Sequence, residues 1–389
     1  MHAAVLNVPK AAWRDEEDLN IFEDSVGRFL QEHAPPDAGE RWREAGIVDR
    51  ALWNRAGEAG LLCLSAPEEY GGMGGDYRHE VILMEQLGRH GVDSWGVSLH
   101  NAIVAPYVTH YGTEEQKRRW LPKLASGEYV GAIAMTEPGA GSDLQGLKTT
   151  ALRRGNGYVV NGSKTFITNG QTANFIIVCA KTDPALGGKG ISLVVVETDQ
   201  VEGFRRGRNL DKVGQEGNDT SELFFDDVRI PTENLIGADE GRGFYQLMEQ
   251  LPQERLNIAI QGLAVIESAL EHTLAYVKER RAFGKAIIEF QNTQFKLAEC
   301  KTEATVARVF VDHCIGRLLA GTLDAATASM AKYWVTDLQN KIVDECLQLH
   351  GGYGYMNEYP IARMWKDSRV QRIYGGTNEV MKLLIARTL

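Results

Sequence analysis

Few side chains can take a proton from carbon; two places in this 389-residue chain bear on that task, and only the first has a carboxylate. Glu254 stands in Leu251-Pro252-Gln253-Glu254-Arg255, on an apolar stripe of Phe244, Leu247, Met248 and Leu251 that Leu256, Ala259, Ile260 and Leu263 continue. Pro252 removes a backbone donor and predicts a kink within one turn of Glu254, which would aim the carboxylate inward. A carboxylate buried beside a neutral ligand holds its proton more tightly and becomes a stronger base near neutral pH. Periodicity alone favours a blander fate, a solvent-facing Glu254 paired with Arg255 or a lysine. The second place is Ile373-Tyr374-Gly375-Gly376-Thr377.

Two further runs are poor in bulky side chains. Ala134-Met135-Thr136-Glu137-Pro138-Gly139-Ala140-Gly141-Ser142-Asp143 would let backbone approach a flat ring or a pyrophosphate, with the Thr136 and Ser142 hydroxyls as hydrogen-bonding groups. Gln348-Leu349-His350-Gly351-Gly352-Tyr353-Gly354-Tyr355 follows a helical pattern and by itself reads as a C-cap. Other chemistries fail on inspection. His79-Glu80 lacks the second histidine of a zinc helix, and no strand is followed by GxGxxG. There is no phosphate-binding Walker loop, and Gly139 to Ser142 is not the GxSxG elbow of hydrolases.

The elements that must position these residues fall into three blocks, as the length suggests. Residues 1–124 read as helical, with Asp18, Phe22, Val26, Phe29 and Leu30 on one face and a flexible loop at Tyr70 to Gly75. Residues 125–236 change period. Gly157 to Val160, Lys164 to Thr168, Phe175 to Ala180, Ile191 to Val196 and Leu223 to Ile230 predict short strands in an antiparallel sheet, and Pro231 marks the boundary. Residues 237–389 return to helices at Phe244 to Glu279, Glu289 to Ala320 and Asp324 to His350, with Gly321 and Gly351 as helix-ending glycines. The class is α+β, and helices near 30 residues predict a bundle that oligomerises.

Composition narrows the rest. Forty-two basic against 52 acidic residues give −10, the wrong sign for a non-specific nucleic-acid binder. No apolar run is long enough to cross a membrane, and Met1 to Lys10 lacks a targeting pattern. Five cysteines without a CxxC pair predict buried thiols in a reducing cytoplasm and no metal site.

The two small-residue runs, about 200 residues apart and in this order, resemble the two signatures of the acyl-CoA dehydrogenase family, and the α-β-α order agrees with it. Glu358, Arg363 and Asp367 continue the second signature at the family's spacing. The resemblance implies an N-terminal helical domain, a middle β domain, a C-terminal four-helix bundle and non-covalent FAD. Met135 and Thr136 would face the isoalloxazine edge, with Ser142 near the pyrophosphate. Phe166, Ile167 and Thr168 would pack on the ring, Phe166 standing where many relatives carry Trp. Arg280, Phe283 and Gln291 would reach a neighbouring subunit's FAD, as would Gln348, Gly351 and Gly352, while Thr377 and Glu379 would close the other side of the flavin.

Many members of the family carry their catalytic carboxylate at the position of Gly375. The segment Gln250 to Leu256 is similar to the long-chain branch, and Glu254-Arg255 also to the isovaleryl branch, both of which place the base on this helix. Glu254 is therefore the expected base for α,β-desaturation of an acyl-CoA in fatty acid β-oxidation. The Gly375 N–H would bond the thioester carbonyl beside a flavin ribityl hydroxyl. Tyr245, Pro252, Gln253, Arg255, Gly375 and Gly376 would line the acyl-CoA channel, and Ser142 would touch both ligands. Gly375 would leave room beside the α-carbon or for the side chain of Glu254. The resemblance further implies a homotetramer, a dimer of dimers, that passes electrons to electron-transfer flavoprotein. The alternative on the same fold is an oxidase or monooxygenase using molecular oxygen, although such oxidases are usually longer and such monooxygenases tend to lack the carboxylate.

Overall fold

Amphipathic helices open the chain because their apolar residues recur at helical spacing. The computed structural model describes residues 5–92 and 94–389. The helices are α1 (Glu17–His33), α2 (Pro36–Ala45), α3 (Arg50–Glu58), α4 (Tyr77–His90), the short α5 (Val97–Leu99), α6 (Ala105–Tyr111) and α7 (Glu114–Ala125). Helix α1 buries Leu19, Phe22, Val26, Phe29 and Leu30, whereas Asp18 is exposed. Between α5 and α6, His100–Val104 forms a π-helical turn. Such turns add a residue to the helix and change which side chains face inward beyond it.

The middle sheet has seven strands: β1 (Gly131–Ala134), β2 (Thr150–Arg154), β3 (Gly157–Thr168), β4 (Phe175–Lys181), β5 (Ile191–Glu197), β6 (Phe204–Asn209) and β7 (Thr220–Pro231). Their order is β1-β4-β2-β3-β7-β6, with β5 on β4. The expected antiparallel sheet is in fact mixed, since β1 and β2 each pair parallel to β4. Gly157 to Val160 and Lys164 to Thr168, expected as separate strands, form one. Gly162 lies at a register shift inside the single long β3, where a Cβ would collide with Thr149.

Helix α8 (Gly243–Glu279) runs unbroken through Pro252, so the proline does not end the helix. The hairpin β8 (Arg281–Ala282) and β9 (Lys285–Ala286) precedes α9 (Gln291–Leu319), α10 (Ala325–His350), α11 (Pro360–Ser368) and α12 (Asn378–Ala386). Gly321 and Gly351 do adopt positive φ after α9 and α10. The proposed domain boundaries after Leu124 and Ile236 fall in the last turn of α7 and between β7 and α8.

Buried clusters cross these boundaries. One joins α1–α4 to the sheet, another joins α4 to α8–α10, and a third joins α6 and α7 to the other sheet face and Leu247. A buried carboxylate reinforces the second. Glu85 on α4 is sandwiched between Arg14 and Arg308 of α9, with the Arg308 contact at 2.7 Å. Among the described residues no helix is long and apolar enough to cross a membrane, and no acidic, histidine or cysteine cluster could hold a metal ion. All five cysteines are free and buried.

Candidate active site

Glu254 is 4% exposed, so the solvent-facing alternative is wrong. The reason lies on another helix. The Tyr107 hydroxyl on α6 donates to Glu254 Oε1 at 2.8 Å, in a contact between residues 147 apart in sequence. Burial pushes the Glu254 carboxyl up to about 7, with the Tyr107 hydrogen bond and the Arg255 charge pulling the other way. A carboxyl so placed exchanges a proton near neutrality.

Its neighbours on α8 are held in other ways. Gln253 donates to the Ala102 carbonyl at 3.0 Å, inside the π turn. Arg255 is buried and reaches Ser329 on α10 at 3.5 Å. Tyr245, half exposed, stacks with Arg242 at 5.2 Å and borders a cavity of about 280 Å³ with His110, Tyr111, Gln246 and Glu249.

Gly375 and Gly376 both take positive φ, +63° and +92°, which only glycine adopts without strain. Ile258 takes up part of the space beside Gly375. A Cβ there would fall on the δ-methyl of Ile258, one helical turn beyond Glu254. The turn is fixed from below by fully buried Lys332 of α10, which donates to the Gly376 carbonyl at 2.7 Å and to Asn378 Oδ1 at 2.9 Å. Burial holds Lys332 down to about 7, the charge of Asp337 partly opposing it. Thr377 caps α12 through the Val380 N–H, and Glu379 is exposed beside it.

The loop after β1 is tied to β3. Thr165 N–H donates to the Thr136 carbonyl, and buried Lys164 reaches the Met135 carbonyl and Glu137 Oε1, each at 2.9 Å. Met135, Thr136 and Thr168 stay partly accessible, Ser142 is exposed, and Phe166 is 67% exposed at φ +59°. Ile167 is buried in the sheet core, which leaves it only backbone to offer a ring. An exposed aromatic side chain in a left-handed conformation, flanked by accessible hydroxyls and a bare glycine loop, fits a flat heteroaromatic group such as an isoalloxazine.

Arg280, Phe283 and Gln291 cluster around the β8–β9 hairpin. Phe283 is 95% exposed at its tip, with φ positive at both Phe283 and Gly284. Arg280 lies over the Tyr353 ring at 5.4 Å, bringing the hairpin beside exposed Gln348, Gly351 and Gly352.

Family models for the N-terminal, middle and C-terminal domains of acyl-CoA dehydrogenase match residues 16–128, 132–228 and 241–389. The chain belongs to the acyl-CoA dehydrogenase family. It is 49% identical to the mouse (Mus musculus) mitochondrial long-chain specific acyl-CoA dehydrogenase over 372 residues, covering 95% of this chain and 86% of that protein. It is 38% identical to the potato (Solanum tuberosum) mitochondrial isovaleryl-CoA dehydrogenase, covering 95% and 89%. The crystal structure of an acyl-CoA dehydrogenase from Geobacillus kaustophilus superposes with a TM-score of 0.94 at 48% identity, covering 97% of this chain and 99% of that one. As a member of this family the chain is an oxidoreductase, and the oxidase alternative is not favoured.

Sequence reasoning missed Tyr107, Ile258 and Lys332. Each lies on a helix whose pattern reads as ordinary core, and each acts on a residue of another segment or turn.

Proposed function

We propose that this acyl-CoA dehydrogenase oxidises a saturated acyl-CoA thioester to its trans-2-enoyl-CoA, with Glu254 as the base. The observation that carries this is the burial of Glu254, which raises its pKa to about 7 even though its pairing with Tyr107 pulls the other way. The α C–H bond breaks, its proton passes to Glu254, and the electron pair moves toward the thioester carbonyl. The Gly375 N–H, presented by the turn that Lys332 holds, donates to the carbonyl oxygen where charge develops. Ile258 and the buried face of α8 exclude water from this step.

Met135, Thr136, Ser142, Phe166 and Thr168 would hold FAD, with the Ile167 backbone beside them and Thr377 and Glu379 on its other side. Bound there, FAD supplies the acceptor for the β-hydride. Exposed Phe283, with Arg280, Gln291, Gln348, Gly351 and Gly352, supports contact with a second subunit's FAD, in a homotetramer that delivers electrons to electron-transfer flavoprotein. The thioester would lie along Pro252, Gln253 and Gly376, its CoA end near Tyr245 and Ser142. The five free thiols support a reducing compartment such as the cytoplasm, while the mouse and potato relatives are mitochondrial. The higher identity to the long-chain relative supports a long straight acyl chain over a branched one. kcat/KM across straight and branched acyl-CoAs of graded length tests that choice.

Glu254→Gln tests the base. With FAD bound, the variant should lose anaerobic flavin bleaching by acyl-CoA by at least about 10²-fold. Bleaching at the wild-type rate would show that the base lies elsewhere.

A further inference from the structure

Tyr107 is fully buried, and a buried phenol needs a hydrogen-bond partner, but any neutral acceptor would serve it. A carboxylate is a costly choice for that purpose, since burial penalises its charged form. The pairing therefore makes more sense as a device serving the carboxylate. Among the described residues, Glu254 Oε1 accepts from Tyr107 and no partner is seen for Oε2. One oxygen is held and the other is left to take a proton.

The helix carrying Tyr107 is anchored for this purpose. The π turn leaves the Ala102 carbonyl open to α8, where it accepts from Gln253 at 3.0 Å and Asn257 at 3.3 Å. Tyr77 of α4 in turn donates to Asn257 Oδ1 at 2.6 Å. These bonds bracket Glu254 on α8 and set the register of α6 against it. We infer that Tyr107 is a positioning residue for the reaction: it holds Oε1 of Glu254, favours its charged form and turns Oε2 toward the acyl α-carbon.

This inference rests on Glu254 as the base. The other titratable groups facing Glu254 are Arg255 on its own helix, Tyr111 on α6 and Cys179 on β4, with Lys332 of α10 beyond Arg255. Of these, Tyr107 is the one hydrogen-bonded to the carboxylate, and a hydrogen bond to the charged form lowers a carboxyl pKa.

The test follows the acid limb of kcat/KM on the FAD-loaded enzyme, alongside an infrared titration of the Glu254 carboxyl band without substrate, identified by its loss in Glu254→Gln. Tyr107→Phe should move both titrations to higher pH by about one unit, with activity recovering on the alkaline plateau. Replacing Tyr107 by 3-fluorotyrosine, isosteric and a stronger donor, should move both to lower pH, and decides the matter should the Phe variant not fold. A uniform activity loss with neither titration displaced overturns the role of Tyr107 while leaving Glu254 as base. An active Glu254→Gln overturns the base assignment and this inference with it.

Discussion

A Cβ added to Gly375 would fall on the δ-methyl of Ile258, a side chain one turn beyond Glu254 on α8. A side chain at the position many relatives use for the base would therefore have to displace Ile258, on the same helix as the proposed base Glu254. Moving the carboxylate back should fail. In a Glu254→Gln background, Gly375→Glu should not restore anaerobic flavin bleaching, whereas adding Ile258→Ala should recover part of it. Gly375→Ala alone should lower stability by about 2 kcal/mol or more, from left-handed backbone strain and overlap with Ile258, read from the denaturation midpoint.

Lys332 holds the carbonyl of Gly376, and so anchors the turn that carries the Gly375 N–H two peptide units earlier. Lys332→Met keeps the length of the side chain but removes both donors. The expected result is a fall in kcat of about tenfold with FAD retained. A lowered melting temperature with unchanged kcat would assign the lysine to stability alone.

Acid should loosen the joint between α4 and α9 early. Burial pushes the Glu85 carboxyl up, but Arg308, Arg14 and Arg89 together outweigh it and hold the group down at about 2. A depressed carboxyl stabilises the fold above its ordinary range near 4.5, and that contribution disappears as pH falls toward 2. Arg308→Ala should cost about 3–5 kcal/mol at neutral pH, because it strands a buried charge. Urea denaturation at pH 7 measures it.

Glu80 has the opposite sign. Burial raises its carboxyl to about 8, with Ser65 a weak partner at 3.4 Å. The folded chain then binds a proton that the unfolded chain releases, so stability falls as pH rises from about 4.5 to 8. Glu80→Gln mimics the protonated form. It should raise the melting temperature at pH 8 and leave it nearly unchanged at pH 4.

Much of this enzyme could be read along the chain. The stripe on either side of Glu254, the Gly-Ala-Gly-Ser run and the turn residues after α10 are contiguous, and the physics they report is local: helical period, bare backbone, a C′ glycine with positive φ. The mixed sheet was less legible, because β1 and β2 are short and their parallel partner β4 arrives later in the chain. The contact of Arg255 with Ser329 was not legible either, because helical spacing gives an angle around an axis, and α10 decides what that angle faces.

The sequence by itself determined the family, the α-β-α order and Glu254 as a candidate, since short-range pattern and motif spacing encode these. Only the tertiary structure decided whether that carboxylate could act as a base. It is buried, Tyr107 of α6 favours its charged form, and Ile258 crowds the alternative site at Gly375. Desolvation and hydrogen bonding depend on what surrounds a group in space, and the group that holds Glu254 lies 147 residues away in the chain.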